Sequence, residues 1–471
     1  MKSQLWAVLA TVVSLGPWAT VALDGSDLDS IESTKRAAAA VAQGAVKYYK
    51  GDQPGQTVGI LPEPYFWWQS GAMLGTLVDY WHYTGDSTYN NLAKEGMLSQ
   101  KGEQNDFQPA SQLRNLANDD QAMWALAALS AAEFSFDAPG SDQLQWVDLA
   151  KNTFEAQVRR WDNEKCGGGL NWQVNRSNNP TASYKNSMAN GAFFELSSRL
   201  ARYTKNGTYL DWATKTWDWM SHVGLLTKDF KVFDGTDAEK DCKQLNHFQW
   251  SINVGILLSG AANLYNTTNG DPTWKTRVEG LLKSTDEFFS KNVMIEPACE
   301  ANKRCNLDHK IFKVFLSRAL GTTVKLAHFA KAIVLPKITA SSRAAVEKCE
   351  NENGIQRCSF HWLHKDDDTD NDRDESDGNN KTLGEQLSTL QIILASLAAR
   401  GDGSAPVTQL PTGKSQGDGK SGGNSGGTPT SGAPSNSSSP GIASSVMDLS
   451  FQKWDAIIAV FGLSTMLGLV M

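Results

Sequence analysis

The sequence predicts an all-α domain assembled from stacked helical hairpins, either closed as an (α/α)6 barrel or left as an open solenoid. Three observations carry that prediction. Apolar residues recur at three- and four-residue steps in MLGTLVDYWHY, AMWALAALSAAEF, GAFFELSSRLARY and NVGILLSGAANLY, whereas β-type alternation is scarce. A helix–turn–helix pattern returns at 79–97, 198–220 and 261–282, with a looser copy at 131–154: an aromatic closes one helix, a turn holding Gly and Asn or Asp follows, and an aromatic opens the next. The copies lie about 50–70 residues apart, so residues 23–400 have room for six, and no hairpin can hide its apolar face alone. In each turn the glycine is expected to take the left-handed C-cap and its polar neighbour to cap the following helix.

Taken in order, the chain opens with residues 1–22, MKSQLWAVLATVVSLGPWATVA, where Lys2 precedes an apolar stretch ending in the small-x-small site Thr20-Val21-Ala22. That is the pattern of a secretory signal peptide. Residues 23–400 follow as the folded domain; their hydrophobic share, 40% over the whole chain against 20% charged, excludes wholesale disorder. A formal net charge of −7 gives no basic footprint, so nucleic acid is not an expected partner. Residues 401–441 collapse to Gly, Ser, Thr, Pro, Lys and Asn, a composition suited to an extended, O-glycosylated stalk. Residues 442–471 end in the apolar run Ala456 to Met471, about 24 Å long as a helix and short for a bilayer span. Small residues, a spacer and an apolar tail make a glycosylphosphatidylinositol (GPI) attachment signal with Gly441 as the expected ω site and Asn436 or Ser444 as alternatives. The protein is therefore expected on the secretory route, held at the outer face of the plasma membrane or in the cell wall through that lipid.

The cysteines suit the same compartment. Six are present, an even number with fifteen formal pairings. Sequence proximity favours Cys299–Cys305 and Cys349–Cys358, leaving Cys166–Cys242, and no spacing suggests zinc. N-glycosylation sequons stand at Asn175, Asn206, Asn266, Asn380 and Asn436. The acidic run 366–380 lacks the glycine and terminal glutamate of a calcium loop and reads as a solvated loop; His361 and His364 read as an ordinary loop edge. No metal ligand set, P-loop or dinucleotide fingerprint is found, so no cofactor is expected.

The chemistry concentrates at Asn118-Asp119-Asp120-Gln121, before the apolar run AMWALAALSAAEF. Glycoside hydrolysis needs two carboxyl groups flanking one bond, about 5–5.5 Å apart in a retaining enzyme. Adjacent aspartates can reach that separation, and their repulsion raises one pKa while the other stays ionised. The competing reading is structural: Asn118 as N-cap, Gln121 at N3 as in a capping box, and acids favouring the helix dipole. Neighbours at i and i+1 on a helix also do not face each other.

This block resembles glycoside hydrolase family 76, the endo-α-1,6-mannosidases, whose adjacent aspartates stand before such a Trp-bearing helix. PYFWWQSGAMLGTLVDYWHYTGD (64–86), GLNWQ (169–173), YKNSMANGAFFELSSRLARYT (184–204), WSINVGILLSGAANLY (250–265) and LGEQLSTLQIILASLA (383–398) look like the same family in the same order, over about residues 30–400. With the two end signals, the likeness is to the fungal, lipid-anchored cell-wall branch. The resemblance implies the (α/α)6 barrel, with Asp119 as nucleophile and Asp120 as general acid/base. It implies α-1,6-mannan or the GPI core glycan as donor, wall glucan as possible acceptor, and a role in joining mannoproteins to the wall. Trp67 and Trp68 are candidates for stacking on sugar, with Trp124, one turn past the aspartates, a candidate for the site or for the core; Asn118 and Gln121 for hydrogen-bonding a sugar or orienting a carboxylate; Trp172, Asn186 and Asn253, at expected helix starts, for lining the site against a packing or capping role. Where the family commonly has Asn-Gln-Gly, this chain has Asn253-Val254-Gly255, a change bearing on substrate specificity. The rival reading from another class is a non-catalytic, mannan-binding wall organiser.

Overall fold

A computed structural model describes residues 22–140, 144–175, 181–363 and 382–401. The leader, the acidic run with His364 and Asn380, the Gly/Ser-rich segment, Asn436, Gly441 and the apolar tail lie outside the described residues. Among the described residues there are twelve α-helices: α1 Ile31–Val46, α2 Trp67–Thr84, α3 Asn90–Ser99, α4 Asn118–Glu133, α5 Trp146–Arg159, α6 Ser187–Thr204, α7 Gly207–His222, α8 Ser251–Thr267, α9 Pro272–Ser284, α10 His309–Leu326, α11 Lys331–Val346 and α12 Leu383–Ala399.

The even-numbered helices form an inner ring. Each packs on the next from α2 to α12, and α12 returns to α2. The odd-numbered helices from α3 to α11 each back onto the helix before them, while α1 backs onto α12, so the sixth hairpin joins the two ends of the folded segment. The ring is closed: an (α/α)6 barrel, not an open solenoid. The sequence explains which helices lie inside. Every position of α12 is buried, as are Ser251–Leu264 of α8, and a helix apolar or small on all sides belongs in the interior. The outer α5 instead buries one stripe, including Trp146, Leu149, Ala150, Thr153, Phe154 and Gln157.

The expected turn chemistry holds in part. Gly85 ends α2 in the left-handed region (φ 79°), its N–H donating to the Trp81 carbonyl at 2.8 Å. After α6, however, Lys205 takes that conformation (φ 59°), and Gly207 already lies inside α7. The connection there is only Lys205 and Asn206, so the reversal falls on the lysine, whose long side chain still reaches solvent. The polar half of the expectation holds twice: Asn206 caps α7 and Asp271 caps α9, followed by Pro272 at its first position.

Among the described residues seven short strands decorate the connections. β1 (Tyr184–Asn186), β2 (Gly235–Asp237) and β3 (Leu245–Asn246) form an antiparallel sheet, while β4 (Phe289–Ser290) with β5 (Val293–Met294) and β6 (Cys349–Glu352) with β7 (Ile355–Cys358) make two hairpins. The three disulfides are Cys166–Cys242, Cys299–Cys305 and Cys349–Cys358, the pairing that sequence proximity favoured. The sequon residues Asn175, Asn206 and Asn266 are exposed. His361 lies 3.6 Å from Glu300.

Toward the C-terminal ends of the inner helices the barrel axis is polar. Arg199 reaches Glu133 at 2.9 Å, Glu195 at 3.5 Å and the Ser130 hydroxyl at 2.8 Å. Arg202 reaches Glu133 at 3.4 Å and donates to Asn263 at 2.8 Å; Arg318 binds Asp79 at 2.6 Å. These cations and carboxylates balance one another, so the network survives burial only while complete. Arg199→Met should therefore lower the unfolding free energy by about 3–5 kcal/mol, measured by urea denaturation, because Glu133 and Glu195 lose their shared partner.

Candidate active site

The site forms where the first turns of the inner helices meet. The start of α4 is set by backbone pairing with a distant loop. Asn118 N–H donates to the Trp172 carbonyl at 2.8 Å, Val174 N–H donates to the Leu116 carbonyl at 3.0 Å, and Ala117 bridges to Gln173. Ala117 is the N-cap and offers no side-chain cap. The capping roles expected for Asn118 and Gln121 are thus corrected: Asn118 is the first helical residue and Gln121 the fourth.

The loop that pins α4 is itself shaped by glycine. Gly167, Gly168 and Gly169 all have positive φ, and a Cβ on Gly169 would sit 2.3 Å from the Trp219 ring. Only glycine lets the chain pass this close to Trp219. Beyond it, the Asn190 side chain accepts from Leu170 N–H at 2.8 Å and donates to the Leu170 carbonyl at 3.0 Å. Lys185, fully buried, binds Asp162 at 3.1 Å and donates to the Gly168 carbonyl at 2.6 Å. Trp172 is delivered by this loop and not by a helix start, contrary to expectation.

Asp119 is 2% exposed. Its Oδ2 accepts from Asn186 Nδ2 at 2.8 Å, its Oδ1 from the Asp120 amide at 3.0 Å, and the Trp172 side chain donates as well. Burial pushes this carboxyl up to about 6, and the donors pull it back. Asp120 is pushed well above the usual carboxylate range, first by burial and then by the charges of Asp119 and Asp308; the Ala117 backbone is its one opposing partner. Two sequence neighbours thus differ in what surrounds them. The acid that accepts from more donors ionises first, and the other keeps its proton.

Asn186 is the N-cap of α6, its Oδ1 accepting from Ala189 N–H at 3.1 Å while its amide holds Asp119. Asn253 lies in the first turn of α8, 2% exposed, with its Oδ1 unpartnered. That turn is capped by the fully buried Glu296, which accepts from the Ser251 amide and hydroxyl and which burial pushes up to about 8. Trp68 donates to Asp308 at 3.1 Å.

Four other expected site residues are turned into the protein. Asn118 donates to the Asn171 carbonyl at 2.8 Å and accepts from Arg160 at 2.9 Å. Gln121, fully buried, donates to the Asp106 carbonyl at 2.6 Å and accepts from Arg160. Trp124 is sandwiched between Trp67 and Phe107 at ring separations of 5.1 and 5.9 Å, and Trp67 donates to Gln100 at 3.0 Å. Sequence reading missed Asp308, although Asn306-Leu307-Asp308 precedes an apolar inner helix much as Asn118-Asp119-Asp120 does. It also missed Asp234, which accepts from Tyr184 at 2.5 Å, Asn246 at 3.0 Å and Trp250 at 3.0 Å. Among the described residues no group of three or more His, Cys, Asp or Glu is placed to hold a metal ion.

The family model described as glycosyl hydrolase family 76 matches residues 33–409. The chain is 38% identical over 412 residues to the mannan endo-1,6-α-mannosidase DCW1 of Saccharomyces cerevisiae, covering 87% of this chain and 88% of that one. It is 34% identical over 401 residues to the mannan endo-1,6-α-mannosidase DFG5 of the same yeast, covering 84% and 85%. The crystal structure of Dfg5 from Chaetomium thermophilum, in complex with glucosamine, superposes with a TM-score of 0.75 at 38% identity, over 83% of this chain and 96% of that one. An inactive variant of the α-1,6-mannanase GH76A of Salegentibacter sp., in complex with α-1,6-mannotriose, shares the fold with a TM-score of 0.61 at 16% identity, over 78% and 99%.

Raised native pKa values mean that the folded chain binds more protons than the unfolded one above about pH 4, so this contribution to stability is lost as pH rises through about 6 at Asp119 and higher at Asp120. Asp120→Asn should therefore be more stable than the wild type at pH 8 by about 1–3 kcal/mol, the difference shrinking toward zero near pH 4, as read from urea unfolding at both pH values.

Proposed function

The chain belongs to glycosyl hydrolase family 76 and is a glycoside hydrolase, and from that premise we propose that it cleaves α-1,6-linked mannan by a retaining double displacement. The observation that carries the reading is the pair Asp119–Asp120 at one helix start, Asp119 buried and Asp120 half-buried, with unequal partners. Ionised Asp119, oriented by Asn186 and Trp172, attacks the anomeric carbon while Asp120 gives its proton to the leaving glycosidic oxygen. Asp120, now a carboxylate, takes a proton from the incoming hydroxyl, whose oxygen displaces Asp119 from the anomeric carbon. Configuration is retained. The names of the two yeast relatives and the mannotriose held by the Salegentibacter fold neighbour support α-1,6-mannan as the donor class.

The incoming hydroxyl can belong to water or to another glycan. The proposal extends to transfer: the protein, carried out of the cell by residues 1–22 and lipid-anchored at Gly441, moves the mannose-containing part of GPI-linked proteins onto wall glucan. Two features support this extension, the end signals in the sequence and the tethering they create, since a tethered enzyme meets its polymer acceptor at high local concentration.

Asp119→Asn should lower turnover of an α-1,6-mannooligosaccharide by at least about 10⁴-fold, while its Kd by calorimetry moves less than about threefold. Unchanged wall assembly by that variant would instead leave the mannan-binding organiser. On intact cells, phosphatidylinositol-specific phospholipase should release the protein into the medium; protein that stays on the membrane after complete digestion of a GPI control would remove the anchor from the proposal.

A further inference from the structure

Asp308 stands at the start of α10, where an aspartate ordinarily accepts from the amides of its own helix. This one does not. No side-chain cap is made, and the front of α10 is served by Asn306 instead, whose Oδ1 accepts from His309 N–H at 3.0 Å and whose carbonyl accepts from Lys310 N–H at 3.2 Å. The Asp308 carboxyl is turned to α2: its Oδ1 accepts from Trp68 Nε1 at 3.1 Å and from Gln69 Nε2 at 3.1 Å. Gln69 is fully buried and also donates to the Leu307 carbonyl at 3.2 Å, so the clamp is rigid. Among the described residues no donor reaches Oδ2.

We propose that Asp308 is a positioning residue for the proton donor: clamped by Trp68 and Gln69 on the wall opposite α4, it sets a fixed negative charge before Asp120. In the ring order α10 lies directly across from α4, and the tandem tryptophans of α2 join the two walls, Trp67 stacking on Trp124 of α4 while Trp68 holds Asp308.

Among the described residues, the groups facing this cluster leave it without a counter-cation. On α4 the neighbour is Asp119; α2 offers only Trp67, Trp68 and Gln69, and α6 the neutral Asn186. At the end of α5, Arg160 is turned to Asn118, Gln108 and Gln121. On α10, Lys310 pairs with Glu385 of α12 at 3.2 Å, and His309, which burial holds below its usual range, stacks on Trp250 at 4.5 Å. Behind α8, Glu296 bonds Ser251. Burial pushes Asp308 up to about 6, so it ionises while Asp120 still holds its proton, and the resulting charge makes that proton harder to lose.

The inference rests on Asp120 being the proton donor, and the experiment separates the two. Asp308→Asn keeps the size of the side chain and an oxygen for Trp68 and Gln69. In the full-length protein, the titration midpoint of the Asp120 carboxyl, read by ¹³C NMR, should fall by about one pH unit, and the alkaline limb of kcat/KM on an α-1,6-mannooligosaccharide should move with it; Asp308→Glu should restore both. An unmoved Asp120 midpoint in folded Asp308→Asn overturns the proposal, even if the variant melts earlier. A midpoint that falls while the alkaline limb stays upholds the charge effect and removes Asp120 from the donor role.

Discussion

The constraint on which this structure rests is that six inner helices run the same way around one axis. Their starts converge, as the contacts Asn186–Asp119, Trp68–Asp308, Lys310–Glu385 and Trp250–His309 show, each joining the first turns of two inner helices. A helix start carries orphan amides and the positive end of the dipole, and six together make a strongly electropositive floor. Carboxyls collect there in consequence: Asp119 and Asp120 on α4, Glu296 against α8, Asp308 before α10 and Glu385 on α12. Arg199, Arg202 and Arg318 lie toward the other end. The barrel thus creates an environment in which buried acids are tolerable before any substrate arrives.

Tolerable does not mean ionised. Burial can raise a carboxyl by several units, and helix-start amides offset only part of that. Between Asp119 and Asp120 the backbone turns by about 100°, which sends adjacent side chains to different neighbours. One meets the amide of Asn186 and the indole of Trp172; the other meets charge. Adjacency on a helix, an objection to cooperation between the two acids while only their spacing was known, is here the source of their difference.

That same geometry decides what the sequence could and could not disclose. Periodicity exposed the hairpins because burial acts on every turn of a helix. The acid pair stood out because two charges before an apolar run demand a reason. Direction was hidden. Asn118, Gln121, Trp67 and Trp124 have residue types suited to sugar, yet Arg160, Asn171, Gln100 and Phe107 claim them, and those partners come from other helices and loops. Asp308 was illegible for the converse reason: its clamp comes from α2, 240 residues earlier for Trp68. A side chain at a helix start can point to the axis, to a neighbouring helix or to the outer layer, and nothing local chooses among them.

Loop length distinguishes the two ends of the barrel. The turns that follow inner helices are mostly short: Lys205 and Asn206 after α6, Thr268–Asp271 after α8, Ala327–Ala330 after α10. The connections that lead into inner helices are long, 160–186 into α6, 223–250 into α8, 285–308 into α10 and 347–382 into α12. Long segments without their own core need fixing if they are to hold a side chain in place. All three disulfides lie in these four connections, and Cys166–Cys242 ties two of them together. The loop carrying Cys166 delivers Trp172 to Asp119, and the one carrying Cys299 and Cys305 delivers Glu296 to α8 and leads into Asp308. Covalent cross-links therefore mark the face that carries the acid pair, because there the fold asks irregular chain to stay as still as a helix.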